Sequence, residues 1–252
     1  MQCAYNLRSI LRASRLPAIV SLSALVVVVA APAAAQTAIP VTPFRSVELH
    51  DGGHVVLRHG ATQRVTLLKG STDCADFTLA DGGRLVIDKY KGRDKYKGRC
   101  PQGYELEIEI ITPDIAEIFV ADGGVIESRG SFPRQAEIKT VVRNGGTIDI
   151  RTIVTDRVTA SVEEGGQILT MPQVTLSASV ASGGQITYWG DARVESSVRD
   201  GGTITKGTVA EADKPLSEFG PQVPPLPPVP LLPPIQPIRK LSWHQPARRP
   251  EV

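Results

Sequence analysis

Aromatic side chains are scarce: two Trp, five Tyr and five Phe in 252 residues. Few rings are therefore available as platforms for sugars. A surplus of charge is also missing. The formal net charge is +2, and residues 36–214 carry 21 basic against 24 acidic side chains. A nucleic-acid binder normally shows a clearly basic domain, so that class is excluded. Cysteine is limited to Cys3, Cys74 and Cys100. Helical periodicity is absent beyond the N-terminal segment. Glycine (23) and proline (20) are plentiful, but neither follows a collagen period. The length allows one large or two small domains with a sizeable core.

The two ends differ from the middle. Arg8, Arg12 and Arg15 precede an apolar run, Ala18–Ala31, and Ala33-Ala34-Ala35 follows it. This is the pattern of a secretory signal peptide over residues 1–35, cut before Gln36. The run is shorter than the roughly 20 residues that span a bilayer comfortably. An uncleaved anchor is the alternative; after cleavage no transmembrane segment is left. Residues 36–43 read as a short linker. From Pro215 to Pro250 lie twelve of the twenty prolines. Proline has no N–H for a ladder, so residues 215–252 are expected to be a disordered tail of polyproline II character. That tail is either a docking ligand or a solvated spacer.

Export removes Cys3 and leaves an even number of cysteines. In an oxidising compartment the simplest outcome is a Cys74–Cys100 disulfide. It would close a loop of 26 residues, worth roughly 3 kcal/mol in the chain-entropy model. A metal pair or two free thiols are the alternatives, although two cysteines without nearby histidine make a poor zinc site.

Seven Gly-Gly pairs punctuate residues 44–206: Gly52-Gly53, Gly82-Gly83, Gly123-Gly124, Gly145-Gly146, Gly165-Gly166, Gly183-Gly184 and Gly201-Gly202. The intervals are 30, 41, 22, 20, 18 and 18 residues, settling into a period that marks a solenoid. Each pair lies in the pattern [LV]-x-[DNES]-G-G-x-[ILV]. The strands between the late pairs alternate: Leu176, Ala178 and Val180 on one face, Ser177 and Ser179 on the other. A sharp corner needs positive φ, which glycine supplies without steric cost. The pairs suit either antiparallel hairpins or the corners of a coil stacked in parallel. Equal spacing favours stacking, with like residues about 4.8 Å apart. One inner column would be Ile148, Ile168, Ile186 and Ile204, and another Thr140, Ala160, Ala178 and Ser196. Residues 207–214 would cap the open end.

On three features the chain resembles the head GIN domain family, adhesin-type head domains of bacterial autotransporters. These are the opening FRSVELHDGGHVVL, the middle LEIEIITPDIAEIFVADGGVI with its Thr112-Pro113-Asp114 step, and the V-x-x-G-G-x-I turns. The resemblance covers residues 44–214. It implies an all-β fold, a right-handed single-stranded parallel β-helix with Gly-Gly turns. It also implies a location in the periplasm, cell envelope or cell surface, and no catalytic residues. The chain departs from the family in two ways. The tail lacks the alternating strands of a translocator barrel, and the loop at 88–100 is unusually basic.

That loop is a tandem DKYKGR. Lys89, Tyr90, Lys91, Arg93, Lys95, Tyr96, Lys97 and Arg99 interleave cations with rings, a composition that binds phosphate, sulfated sugar or lipopolysaccharide. A duplication in a tolerant surface loop explains the same residues. His50 and His54 flank Asp51, but no fourth ligand is evident and no metal site is expected. The acids before the glycines are spread too widely for a paired-carboxylate or calcium site. Outward rows such as Thr147, Gln167, Gln185 and Thr203 carry hydroxyls and amides, with Tyr188 and Trp189 as the available rings. The expectation is an exported, non-enzymatic binding or scaffold protein without a cofactor. Its ligand would be a glycan, lipopolysaccharide or protein of the envelope, with homo-oligomerisation left open. The alternative is a polysaccharide lyase or hydrolase, which would show acidic and basic residues converging on adjacent rungs.

Overall fold

The structure, a computed structural model, describes residues 36–89, 100 and 103–216. Residues 1–35, expected to be a signal peptide, the basic loop from Tyr90 to Arg99 and the tail from residue 217 lie outside the described residues. Within them are fifteen strands, numbered in chain order, and one short helix.

The strands form two walls. The first carries, in spatial order, β5 (Ala75–Ala80), β6 (Arg84–Lys89), β2 (Ser46–His50), β8 (Glu117–Ala121) and β10 (Gln135–Arg143). It continues with the C-terminal parts of β11 (Thr147–Glu163) and β12 (Gln167–Ala181), and with β14 (Arg193–Arg199). The second carries β1 (Thr37–Ile39), β4 (Arg64–Lys69), β7 (Glu107–Thr112), β3 (His54–His59) and β9 (Val125–Ser128). It continues with the N-terminal parts of β11 and β12, then β13 (Gln185–Tyr188) and β15 (Thr203–Lys206). Because β11 and β12 run through both walls, the whole is one mixed sheet. It curls nearly closed around an aliphatic core in which Ile148, Ile168 and Ile186 are fully buried.

The expected right-handed parallel β-helix is not the fold. Antiparallel pairs β1·β4, β4·β7 and β5·β6 belong to the same sheet. The Gly-Gly intervals hold the reason. Between Gly52 and Gly123 they are 30 and 41 residues, long enough for extra hairpins, and the chain there folds into two antiparallel ribbons. β2 and β3 come early in the chain yet lie between these ribbons and β8 and β9. Parallel stacking of like residues is confined to the later segment. There Ile148 faces Ile168, Ile186 and Ile204 in succession. Thr140 likewise faces Ala160, Ala178 and Ser196.

The two closures that Gly-Gly allows both occur. Gly82-Gly83 turns the antiparallel β5–β6 hairpin. The other six turns share one conformation. Asp51, Asp122, Asn144, Glu164, Ser182 and Asp200 have φ between 52° and 59°, and both following glycines are positive as well. Three successive left-handed residues make the corner. The two glycines have different reasons to be glycine. A Cβ on Gly183 would meet nothing within 4 Å, so only its φ of 85° matters. A Cβ on Gly184 would lie 2.5 Å from Val162 Cγ1 and 3.1 Å from the Gly166 carbonyl oxygen. The turns also hydrogen-bond to one another: Gln167 N–H to Gly146 O and Gln185 N–H to Gly166 O, both 2.9 Å.

The expected cap is not a cap. The helix α1 (Val209–Ala212) buries none of its residues. Residues 212–216 instead lie over the outer face of the second wall, beside His54 and Arg151.

The two glycines should respond differently to alanine. Gly183→Ala should cost about 1–2 kcal/mol in backbone strain alone. Gly184→Ala should lose a further ~1–3 kcal/mol to overpacking against Val162. Equal losses in denaturant midpoint for the two variants would refute this account of the turn.

Candidate functional site

The first residues after each corner point alternately in and out. After Gly123-Gly124 come Val125, Glu127 and Arg129; after Gly145-Gly146 come Thr147, Asp149 and Arg151. Glu127 and Asp149 occupy equivalent positions on neighbouring strands and are register partners. Two acids stacked at one strand spacing would repel each other. Each is neutralised by the arginine two residues on, along the same face. Arg129 lies 2.6 Å from Glu127, and Arg151 lies 2.6 Å from Asp149. His54 on β3 adds a contact of 2.8 Å to Glu127.

The second pair is buried. The side chains of Arg151 and Asp149 are 8% and 9% exposed. The remaining Arg151 donors go to the main chain: Nη1 donates to Glu211 O at 3.1 Å and Ala212 O at 3.0 Å. The Trp189 ring lies 5.4 Å from the guanidinium, and its Nε1–H donates to Thr208 O at 2.8 Å. Gly207 packs against that ring, where a Cβ would fall 2.2 Å from Trp189 Cε2. Trp189 is thus 4% exposed and fastens the C-terminal segment. It does not serve as an outward ring for sugar.

Between this segment and the second wall runs a cleft of about 770 Å³. Its floor carries the polar side chains of His54, Glu127, Ser128, Thr147, Asp149 and Gln167 beside Val125. The row expected from the sequence is in register, Thr147 beside Gln167, Gln185 and Thr203. Gln167 sits at the cleft floor, and Thr203 is exposed.

The other sequence candidates are dispersed. His50 contacts Glu48 at 2.6 Å, so His50 and His54 face different carboxylates. Among the described residues no group of three or more metal-ligating side chains converges. Cys74 and Cys100 are bonded, with Cα atoms 5.5 Å apart. Lys89, the described foot of the basic loop, lies 5.6 Å from the Tyr104 ring centroid. Burial raises the Tyr104 phenol above its ordinary value, although its contact with Ser71 opposes this. Tyr90, Lys91, Arg93, Lys95, Tyr96, Lys97 and Arg99 lie outside the described residues. Among the described residues no helix is long and apolar enough to cross a membrane.

On the first wall Glu117 links three strands. It pairs with Lys139 at 2.8 Å and Arg84 at 3.2 Å, and Arg84 also reaches Glu48 at 3.0 Å. Burial pushes the Glu117 carboxyl up, but the two cations together hold it below its ordinary value of 4.5.

Two tests follow from these charges. A lowered carboxylate pKa stabilises the fold above the unfolded value, and that contribution disappears as pH falls. The wild-type Tm should drop below pH 4.5, and Glu117→Gln should have a lower Tm at neutral pH and a shallower acid decline. For the buried pair, Asp149→Leu strands a buried cation and should cost about 3–5 kcal/mol. Asp149→Leu with Arg151→Met should recover part of that loss in thermal melts. A double variant less stable than Asp149→Leu would refute the buried-charge explanation.

No protein-family model and no curated protein matches this chain. Among solved structures it is similar to a "putative adhesin" from Bacteroides fragilis, at 14% identity over 68% of this chain and 95% of that one, TM-score 0.36. It is also similar to a "putative adhesin" from Parabacteroides merdae, at 12% identity over 69% and 96%, TM-score 0.31. A "putative cell adhesion protein" from Clostridium sporogenes matches at 11% identity over 68% and 98%, TM-score 0.32. Superpositions this loose carry no argument about activity, and the head GIN resemblance rests on the sequence alone.

Proposed function

We propose that this chain is an exported, non-enzymatic binding module of the bacterial envelope or cell surface. Its ligand is an extended polar polymer, a glycan, lying along the second wall. The observation that carries this reading is the cleft floor. Thr147 and Gln167 stand in register there, and Gln185 and Thr203 continue the row beyond the cleft, at about one strand spacing, 4.8 Å. The charged groups among them are already paired with one another. Such a surface offers many modest hydrogen bonds to a repeating ligand. The arginine-rich N-terminal segment with its apolar run and Ala33-Ala34-Ala35 supports export, and the Cys74–Cys100 bond suits an oxidising compartment.

The enzyme reading also has an observation in its favour. His54, Glu127, Asp149 and Arg151 converge on three adjacent strands, the kind of cluster that a polysaccharide lyase or hydrolase needs. Against it, Asp149 and Arg151 are spent on each other and on the 211–212 main chain.

Isothermal titration with envelope polysaccharide fragments separates the two. Binding should weaken about tenfold with Gln167→Ala plus Thr147→Ala, with Tm nearly unchanged and no new reducing ends or unsaturated sugars formed. Turnover that disappears in Glu127→Gln would establish the enzyme instead. Binding that is indifferent to the cleft variants would remove the cleft from the reading.

A further inference from the structure

The two ends of the stack are unlike. At the end built from β1, β4 and β5, antiparallel ribbons cover Val65, Leu67, Cys74 and Ala75, each 3% exposed or less, while Leu79 on the edge strand β5 is 45% exposed. At the opposite end β14 pairs only with β12, and β15 only with β13. Val198, which continues the fully in-register column Val162–Val180, is 50% exposed. Ser196 is exposed too. The chain beyond β15 turns away: Gly207 N–H donates to Tyr188 O at 2.9 Å, and α1 lies along the outer wall. Among the described residues nothing covers this edge. A bare strand edge with apolar inner residues is a template for another strand.

The charges on the edge indicate what covers it. Lower in the stack, arginine and glutamate on adjacent strands pair: Arg143 with Glu163 at 2.9 Å and Arg157 with Glu137 at 3.2 Å. β14 carries the same residue types, Arg193, Glu195 and Arg199, with no further strand above it. Among the described residues neither Glu195 nor Arg199 forms an ion pair. A two-fold axis perpendicular to the stack, passing through Ser197, lays β14 antiparallel to its own copy. Glu195 then faces the Arg199 of the second copy, and the reverse contact follows by symmetry. Val198 faces Ser196. The proline-rich segment, residues 217–252, is a poorer cover. Eleven of its residues are proline, and proline has no N–H with which to satisfy the edge.

We infer that the open end formed by β14 and β15 is the interface between two copies of this chain, joined edge to edge across a two-fold axis. A two-fold contact uses the same edge on both copies, so the interface closes at two chains.

The protein purified as the cell processes it is examined by analytical ultracentrifugation and by photo-crosslinking from a benzoylphenylalanine placed at Val198. A dimer is expected, with crosslinked product at twice the monomer mass. Glu195→Arg or Arg199→Glu alone should weaken the dimer by about tenfold or more. Glu195→Arg combined with Arg199→Glu should restore it. Both positions are exposed, so the Tm of the monomeric variants should stay near wild type, which separates a lost interface from a lost fold. A monomer at every concentration overturns the inference. So does crosslinking within one chain to residues 217–252, which would make the tail the cover. A dimer unaffected by both single charge reversals also overturns it, placing the interface elsewhere.

Discussion

The architecture depends on one steric fact, the absence of a Cβ at the second glycine of the corners from Gly123-Gly124 to Gly201-Gly202. The main chain of one turn rests directly on the main chain of the turn below. In the Gly184 corner a single methyl would overlap Val162 and crowd the Gly166 carbonyl. Close approach lets the N–H after each corner reach the carbonyl of the preceding corner's second glycine, as Thr203 N–H reaches Gly184 O at 3.0 Å. Those bonds lock the vertical register, and the register in turn sets which side chains stack. A slip of one residue would exchange the inner Ile column for the outer Thr and Gln row. Left-handed backbone at a non-glycine residue costs about 1–2 kcal/mol. Its recurrence at six corners indicates that the bonds between corners outweigh it.

This constraint is written locally, so the later stack was legible in the sequence. Period-two alternation and 18–22-residue spacing suffice to align Ile148 with Ile168 and Ile186. The early half was not legible in the same way. The pattern LADGGRL looks like every other copy, yet Asp81 has no positive φ and its turn closes a hairpin. What differs is the partner strand, and strand pairing is a long-range choice that a seven-residue motif does not encode. The long intervals around Gly82 were the visible sign that the repeat is interrupted there. That interruption makes the sheet mixed.

The polar cluster was legible in principle. Glu127-Ser128-Arg129 and Asp149-Ile150-Arg151 stand at the same offset from their glycines. On strands the acid and the arginine two residues later share a face, and stacking brings the two copies together. The residues before the glycines do not show it, because those side chains occupy the corner and not the wall. The fastening of the C-terminal segment was less accessible. Nothing in the composition of GTVAEADK tells that Thr208, Glu211 and Ala212 lend their carbonyls to Trp189 and Arg151.

Burying Arg151 beneath that segment has a consequence for the whole molecule. An arginine in contact with a carboxylate, two main-chain carbonyls and a ring is desolvated on every side, so its partners are mutually dependent. The Asp149–Arg151 pair holds the segment on the wall together with the Trp189–Thr208 and Gly207–Tyr188 bonds. The pair in turn stays dry only while the segment covers it. The cleft therefore owes its roof to a charge interaction and the Trp189 anchor, whereas its floor belongs to the hydrogen-bonded stack. A ligand that entered would be held between a rigid surface and a replaceable one. The more stable element fixes the spacing of the polar rows, and the less stable one sets the width available above them.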